Sequence, residues 1–177
     1  MKRLKKLFFS LIFSFAATGL SVFAQMTSPV GATGHITAEI IPVFSAGETS
    51  QMNFGRFSPG PEGGEIVLTP VSTISVLGSV FTGTGIHNAA SFYVSGDLDA
   101  TYSISLPANP VVLTSTSNAK SMLVSNWVSI PSQGIGTGKL QNGFQVVYVG
   151  ATLKVGTLSD NPVGIYTGSY EITFEFN

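Results

Sequence analysis

The last dozen residues alternate without a break. Tyr166, Gly168, Tyr170, Ile172, Phe174 and Phe176 share one parity, and Thr167, Ser169, Glu171, Thr173 and Glu175 share the other. Apolar against polar at a period of two marks a strand with one dry and one wet face. The spacing predicts one long strand over 165–176, with no tail or anchor expected after it. Residues 101–106 repeat the pattern, with Tyr102, Ile104 and Leu106 on one face and Thr101, Ser103 and Ser105 on the other. A third run sets Ala32, Gly34, Ile36, Ala38 and Ile40 against Thr33, His35, Thr37 and Glu39. It predicts a strand over 34–44.

Further short runs predict strands over 52–57, 65–69, 73–77, 91–95, 111–114, 122–130, 144–149 and 151–155. No long window carries the helical period of 3.6. Many short strands separated by Gly, Pro, Asn and Asp predict an all-β chain, a sandwich or a barrel, with a single domain and no internal repeat. Asn142-Gly143 is the strongest tight-hairpin signal, because both central residues tolerate positive φ. Gly150 stands where the alternation changes phase between Val146/Tyr148 and Ala151/Leu153/Val155, which predicts a bulge. Residues 58–64 (Ser-Pro-Gly-Pro-Glu-Gly-Gly) predict a loop, since two prolines and three glycines do not sustain a ladder. Residues 115–118 and 131–138 are expected to be flexible connections.

The first 24 residues are set apart from this pattern. Lys2, Arg3, Lys5 and Lys6 precede an apolar run containing Phe8, Phe9, Leu11, Ile12 and Phe13, and Val22-Phe23-Ala24 supplies a small-residue cleavage site. This is the pattern of a secretory signal peptide over 1–24, removed to leave a domain of 25–177. The run is at the short limit for a membrane span, so no membrane contact is expected after cleavage. No cysteine stands at the junction to carry a lipid. Export to the periplasm, cell surface or medium follows from this reading.

Removing the signal changes the charge balance. Arg56, Lys120, Lys139 and Lys154 then face nine acids, a net charge of about −5. An acidic, sparsely charged surface argues against nucleic acid as a partner. The chain has no cysteine, so neither a disulfide nor a thiolate metal site is available. Packing and backbone ladders must hold the fold.

Candidate chemistry is sparse, and no catalytic residue, metal site or cofactor is expected. His35 lies on the polar parity of its run and His87 in a loop sequence, and neither has the oriented partner that a triad requires. Residues 134–139 (Gly-Ile-Gly-Thr-Gly-Lys) depart from a phosphate loop because Leu140 stands where the Mg²⁺-binding hydroxyl belongs. Asp97-Leu98-Asp99 offers too few oxygens for calcium and reads as turn chemistry. Phe54, Phe57, Phe92, Tyr102, Tyr166, Tyr170, Phe174 and Phe176 read as sandwich core, with a ligand groove as the alternative. Trp127 reads as core, with a surface-binding aromatic as the alternative.

An ordered set of segments carries a resemblance. Asn53-Phe54-Gly55 is followed by residues 64–70 (Gly-Glu-Ile-Val-Leu-Thr-Pro), then 92–96 (Phe-Tyr-Val-Ser-Gly) and 102–107 (Tyr-Ser-Ile-Ser-Leu-Pro). Residues 149–155 (Val-Gly-Ala-Thr-Leu-Lys-Val) and 164–170 (Gly-Ile-Tyr-Thr-Gly-Ser-Tyr) close the set. The chain resembles the bacterial surface family called domain of unknown function 4402. Its closing segment is also similar to that of spore coat U-type and other archaic chaperone–usher pilins, many of which carry a cysteine pair that this chain lacks. The resemblance implies an immunoglobulin-like antiparallel β-sandwich and a fimbrial or cell-surface role.

It also implies a mechanism. Pilin subunits complete one another's sheets by β-augmentation. Here the candidate donor strand is Ala32, Gly34, Ile36, Ala38 and Ile40; the same alternation equally serves a first strand of the domain itself. The candidate acceptor and core strand is Tyr166, Gly168, Tyr170, Ile172, Phe174 and Phe176, where a periplasmic chaperone would bind. Copies of the chain, other pilus subunits, a chaperone and an usher are the implied partners. The alternative is a self-complete monomeric adhesin for carbohydrate or a host ligand.

Overall fold

The alternation organises two antiparallel sheets. The computed structural model describes residues 31–40 and 43–177, so residues 1–24, expected to be a signal peptide, lie outside the described residues. The chain divides into two units, residues 1–38 and 39–177. All the strands described belong to the second.

The strands are β1 (Ser45–Ser50), β2 (Phe57–Leu68), β3 (Ile74–Thr82), β4 (Ala90–Ser95), β5 (Thr101–Ser105), β6 (Val111–Ser115), β7 (Ser121–Ile130), β8 (Gly134–Lys139), β9 (Phe144–Val155), β10 (Tyr166–Thr167) and β11 (Thr173–Phe176). The larger sheet runs β1-β4-β9-β7-β6-β10, with β2 joined to β9 and β3 to β2; the smaller runs β11-β5-β8. The protein is an all-β antiparallel sandwich, as the alternation predicts, and the described residues contain no helix.

Strand β9 is the spine. One edge pairs with β4 over Phe144 to Val149 and with β2 over Ala151 to Val155. Gly150 stands where the partner changes, and a Cβ there would collide with the Leu68 carbonyl oxygen. The phase change read from the sequence is absent: Val147, Val149, Ala151, Leu153 and Val155 are buried on one parity straight through Gly150, with Tyr148 exposed, and the bulge lies in β7 instead. There the register jumps between Ser125 and Val128, and Val128 faces Gly150. Asn126 takes φ 52° within the bulge. Burial along β7 shifts parity accordingly, from Met122 and Val124 to Trp127 and Ser129.

The core draws on both sheets. Ile66, Val94, Val147, Val149 and Leu153 of the larger sheet form one buried cluster with Tyr102 and Ile104 of the smaller one. Each such apolar side chain contributes about 1.5–3 kcal/mol by leaving water. Asn142 (φ 55°) and Gly143 (φ 85°) form the predicted tight turn into β9, closed by Gln141 and Phe144. Asp97 to Asp99 form the predicted turn, with the Leu98 N–H donating to Asp97 Oδ1 at 2.8 Å.

Further expectations are corrected. The strand expected over 34–44 is not formed by its described residues 34–40, 43 and 44, and the first strand begins at Ser45. Residues 58–64 lie within β2; its pairing with β3 jumps from Pro59–Val80 to Gly64–Gly78, so the Gly/Pro-rich insert bulges and the strand then resumes. Residues 131–138 include most of β8, which pairs with β5. The stretch 52–57 holds only a bridge, Asn53 to Asn88, before β2 begins. Finally, 165–176 is two strands. Tyr166 and Thr167 pair with β6 in the larger sheet, whereas Thr173 to Phe176 pair with β5 in the smaller. Alternation survives across the break: Tyr170, Ile172 and Phe174 are half-buried, and Ser169, Glu171, Thr173 and Glu175 are exposed.

Candidate functional site

The break in the last strand leaves a gap in the sandwich. Strand β10 ends the order of the larger sheet, with β6 on one side only. Residues 168–172 belong to no strand, and neither do 51–56 apart from the Asn53 bridge. These two stretches wall a groove of about 980 Å³. Its floor is Phe92 of β4, Val111 and Leu113 of β6, Met122, Val124 and Trp127 of β7, and Leu153 of β9.

The lining is core that is only half covered. Met52, Phe54, Phe57, Phe92, Val111, Leu113, Tyr166 and Tyr170 pack on the buried cluster but remain partly exposed. An apolar surface of this kind beside an unpaired sheet edge is a ready template for another strand.

One end of the groove is built by polar bonds. Asn161, buried, accepts from the Gly156 N–H at 2.6 Å and donates to the Ser121 carbonyl at 2.8 Å, tying the end of β9 to the start of β7. Asp160 accepts from the Thr157 hydroxyl at 2.8 Å and the Thr157 N–H at 3.2 Å. These bonds hold its carboxyl below the usual carboxylate range. The Tyr166 hydroxyl donates to the Pro162 carbonyl at 2.9 Å.

The other end is aromatic. Trp127 and Tyr170 lie with ring centroids 4.6 Å apart, and Phe92 meets Tyr170 at 6.4 Å and Phe174 at 5.9 Å. Burial, and then the negative charge of Glu48, push the Tyr170 hydroxyl far above its ordinary value. Among the described residues, the Trp127 Nε1 and the Tyr170 hydroxyl are buried without a hydrogen-bond partner.

The residues singled out from the sequence fall in three places. Tyr166, Gly168 and Tyr170 line the groove. Ile172 and Phe174 are half-buried against the core. Phe176 is half-exposed and packs edge-on to Phe44 at 5.6 Å. Ala32, Gly34, Ile36, Ala38 and Ile40 belong to no strand and are exposed, Ile36 by 97% and Ile40 by 98%. Trp127 is 9% exposed, so it belongs to the core and walls the groove as well. His35 and His87 are exposed. Sequence reasoning missed Asn161: Ser159-Asp160-Asn161-Pro162 reads as an ordinary turn, and nothing local signals that its amide bridges two strands.

These features define a β-sandwich with an open groove floored by apolar side chains. The family model described as Domain of unknown function (DUF4402) matches residues 44–176, and the chain belongs to that family. No curated protein and no solved structure matches the chain. The family match begins at Phe44, so residues 32–40 precede it.

Proposed function

We propose that the chain is an exported, non-enzymatic structural subunit of a fimbria-like assembly, in which residues 32–40 of one copy enter the groove of the next. The observation that carries this is the groove itself: half-covered core, flanked by the unpaired edge of β10 and by chain that forms no ladder. An alternating segment with its isoleucines exposed supplies a matching insert. A strand added to an open edge gains backbone bonds along its length and buries alternate side chains. Contact of this head-to-tail kind is heterologous and builds filaments. Before assembly an open groove is an aggregation hazard, which is the task of a periplasmic chaperone; an usher would then mediate export.

Ile36→Asp and Ile40→Asp test the reading. Each is expected to abolish a ladder on an unboiled denaturing gel, and fibres by negative-stain microscopy, while export continues. N-terminal sequencing of the exported chain should begin at Gln25. Unchanged filaments in both variants would refute donation.

A second reading has its own support. Tyr93, Phe144 and Tyr148 are exposed on β4 and β9, and the rings of Tyr93 and Phe144 stack at 5.6 Å. A monomeric adhesin would use such a face for carbohydrate or a host ligand. Glycan binding by a monomer, lost in Phe144→Ala and Tyr148→Ala, would favour it.

A further inference from the structure

The aromatic end of the groove combines three features that the fold itself does not require. The β7 bulge places Asn126 at positive φ and turns Trp127 inward, out of the parity of Met122 and Val124. Bulges often serve to re-aim a side chain. The Trp127 indole N–H is then left buried and unpartnered, as is the Tyr170 hydroxyl beside it. Buried polar groups are nearly always hydrogen-bonded, so two adjacent exceptions in one groove call for a partner. Tyr170 also lies in residues 168–172, which belong to no ladder, so its ring can swing aside without breaking a strand pair.

We propose that Trp127 and Tyr170 are the polar recognition point of the groove, where backbone carbonyls beside Gly34 of an entering segment accept from the indole N–H and the tyrosine hydroxyl. This rests on the reading that residues 32–40 enter the groove of another copy. Within that segment the side chains of the inward parity are small at Ala32, Gly34 and Ala38 and large at Ile36 and Ile40. The aromatic end of the groove is lined by Phe92, Trp127 and Tyr170, and its floor elsewhere by the aliphatic side chains of Leu113, Val124 and Leu153, against which the isoleucines would pack. Gly34 lets the strand come close enough for its carbonyls to reach both donors.

The test uses the mature chain carrying Ile36→Asp, so that its own segment is silent, and a synthetic peptide of residues 31–44. Trp127 is the sole tryptophan of the chain, and its emission reports the filled groove. The peptide is expected to shift that emission, and its Gly34→Val variant to bind at least tenfold more weakly. Tyr170→Phe in the acceptor should weaken peptide binding about two- to tenfold, the worth of one hydrogen bond. The same variant should raise the melting temperature of the empty subunit, because a buried unpaired hydroxyl is gone. Trp127→Phe, followed by the peptide-induced rise in melting temperature, should show a similar loss.

Equal binding by Gly34→Val and Tyr170→Phe overturns the recognition point while leaving donation intact. An emission unchanged by the wild-type peptide also overturns it. A ladder from the unmutated chain would then preserve the donation reading, and absence of the ladder would sink both.

Discussion

Two tyrosines, Tyr102 and Tyr170, divide the molecule into a finished side and an unfinished one. Tyr102 stands on β5 between β8 and β11, fully buried, and its hydroxyl donates to Gln145 Oε1 at 2.7 Å. Gly138 of β8 lies directly under its ring, where any Cβ would collide with it. Tyr170 stands on chain that forms no ladder, half-buried, its hydroxyl enclosed and unpaired. Both rings belong to the same core, and Phe174 links their surroundings, 6.0 Å from Tyr102 and 5.9 Å from Phe92. Where three strands close over Tyr102 its hydroxyl finds a partner; where the last strand crosses between sheets, residues 168–172 form no ladder and the groove stays open.

The comparison can be broken in stages. Tyr102→Ala should cost about 3–5 kcal/mol, the usual loss for a buried aromatic; a urea-melt loss below about 2 kcal/mol would mean the closed side is not close-packed. Phe174→Ala, half-buried, should cost less, about 3 kcal/mol, and a loss under about 1 kcal/mol would place its ring on the surface. Asn161→Ala removes a donor and an acceptor from two part-buried backbone groups. It should cost about 2 kcal/mol, with calorimetry expected to show a lowered melting temperature. Full stability would show that the groove end is held by something else.

Smaller effects sharpen the contrast. Tyr102→Phe should lose about 1 kcal/mol, whereas Tyr170→Phe should be neutral or stabilising, because only the first hydroxyl has a partner to abandon. Losses of equal size would erase the distinction. Alkaline titration gives the mildest test. Burial raises the Tyr102 hydroxyl from 10.0 to about 12 and raises that of Tyr170 as well. The folded state therefore keeps its protons longer than the unfolded chain. The associated stability is complete below pH 10 and should fall as pH rises from 10 through 12, read as a declining denaturation midpoint. A flat profile across that window would contradict the burial of both groups.

Much of this was legible in the residues. The alternation at Tyr102 and Ile104 foretold their burial, Asn142-Gly143 its turn, and the parity of 166–176 the side that faces inward. What alternation does not encode is the partner. Residues 166–176 keep one parity while passing from β6 to β5, so a period of two reads as one strand where there are two. The expected phase change at Gly150 took Val146 and Tyr148 for the inner face, whereas Val147 and Val149 are buried there; the strand that bulges opposite Gly150 is β7, because register between distant strands is set by packing and not by local pattern. For the same reason the groove stood in the sequence only as an alternative for aromatics such as Phe54, Phe57, Phe92, Tyr166 and Tyr170, which line it. Its floor comes from β4, β6, β7 and β9, and each of its residues taken singly looks like ordinary core. Residues 58–64 misled because Gly and Pro mark an interruption without telling whether the strand resumes beyond it.

The most direct measurement of the central claim is a mixing experiment. One mature subunit carries Ile36→Asp, which silences the donor; the other carries Leu113→Lys, which closes the groove, and circular dichroism confirms that both are folded. The account predicts monomers of each alone and a one-to-one dimer on mixing, seen by size-exclusion chromatography with light scattering. Monomers that ignore one another, or filaments from either variant alone, would contradict it.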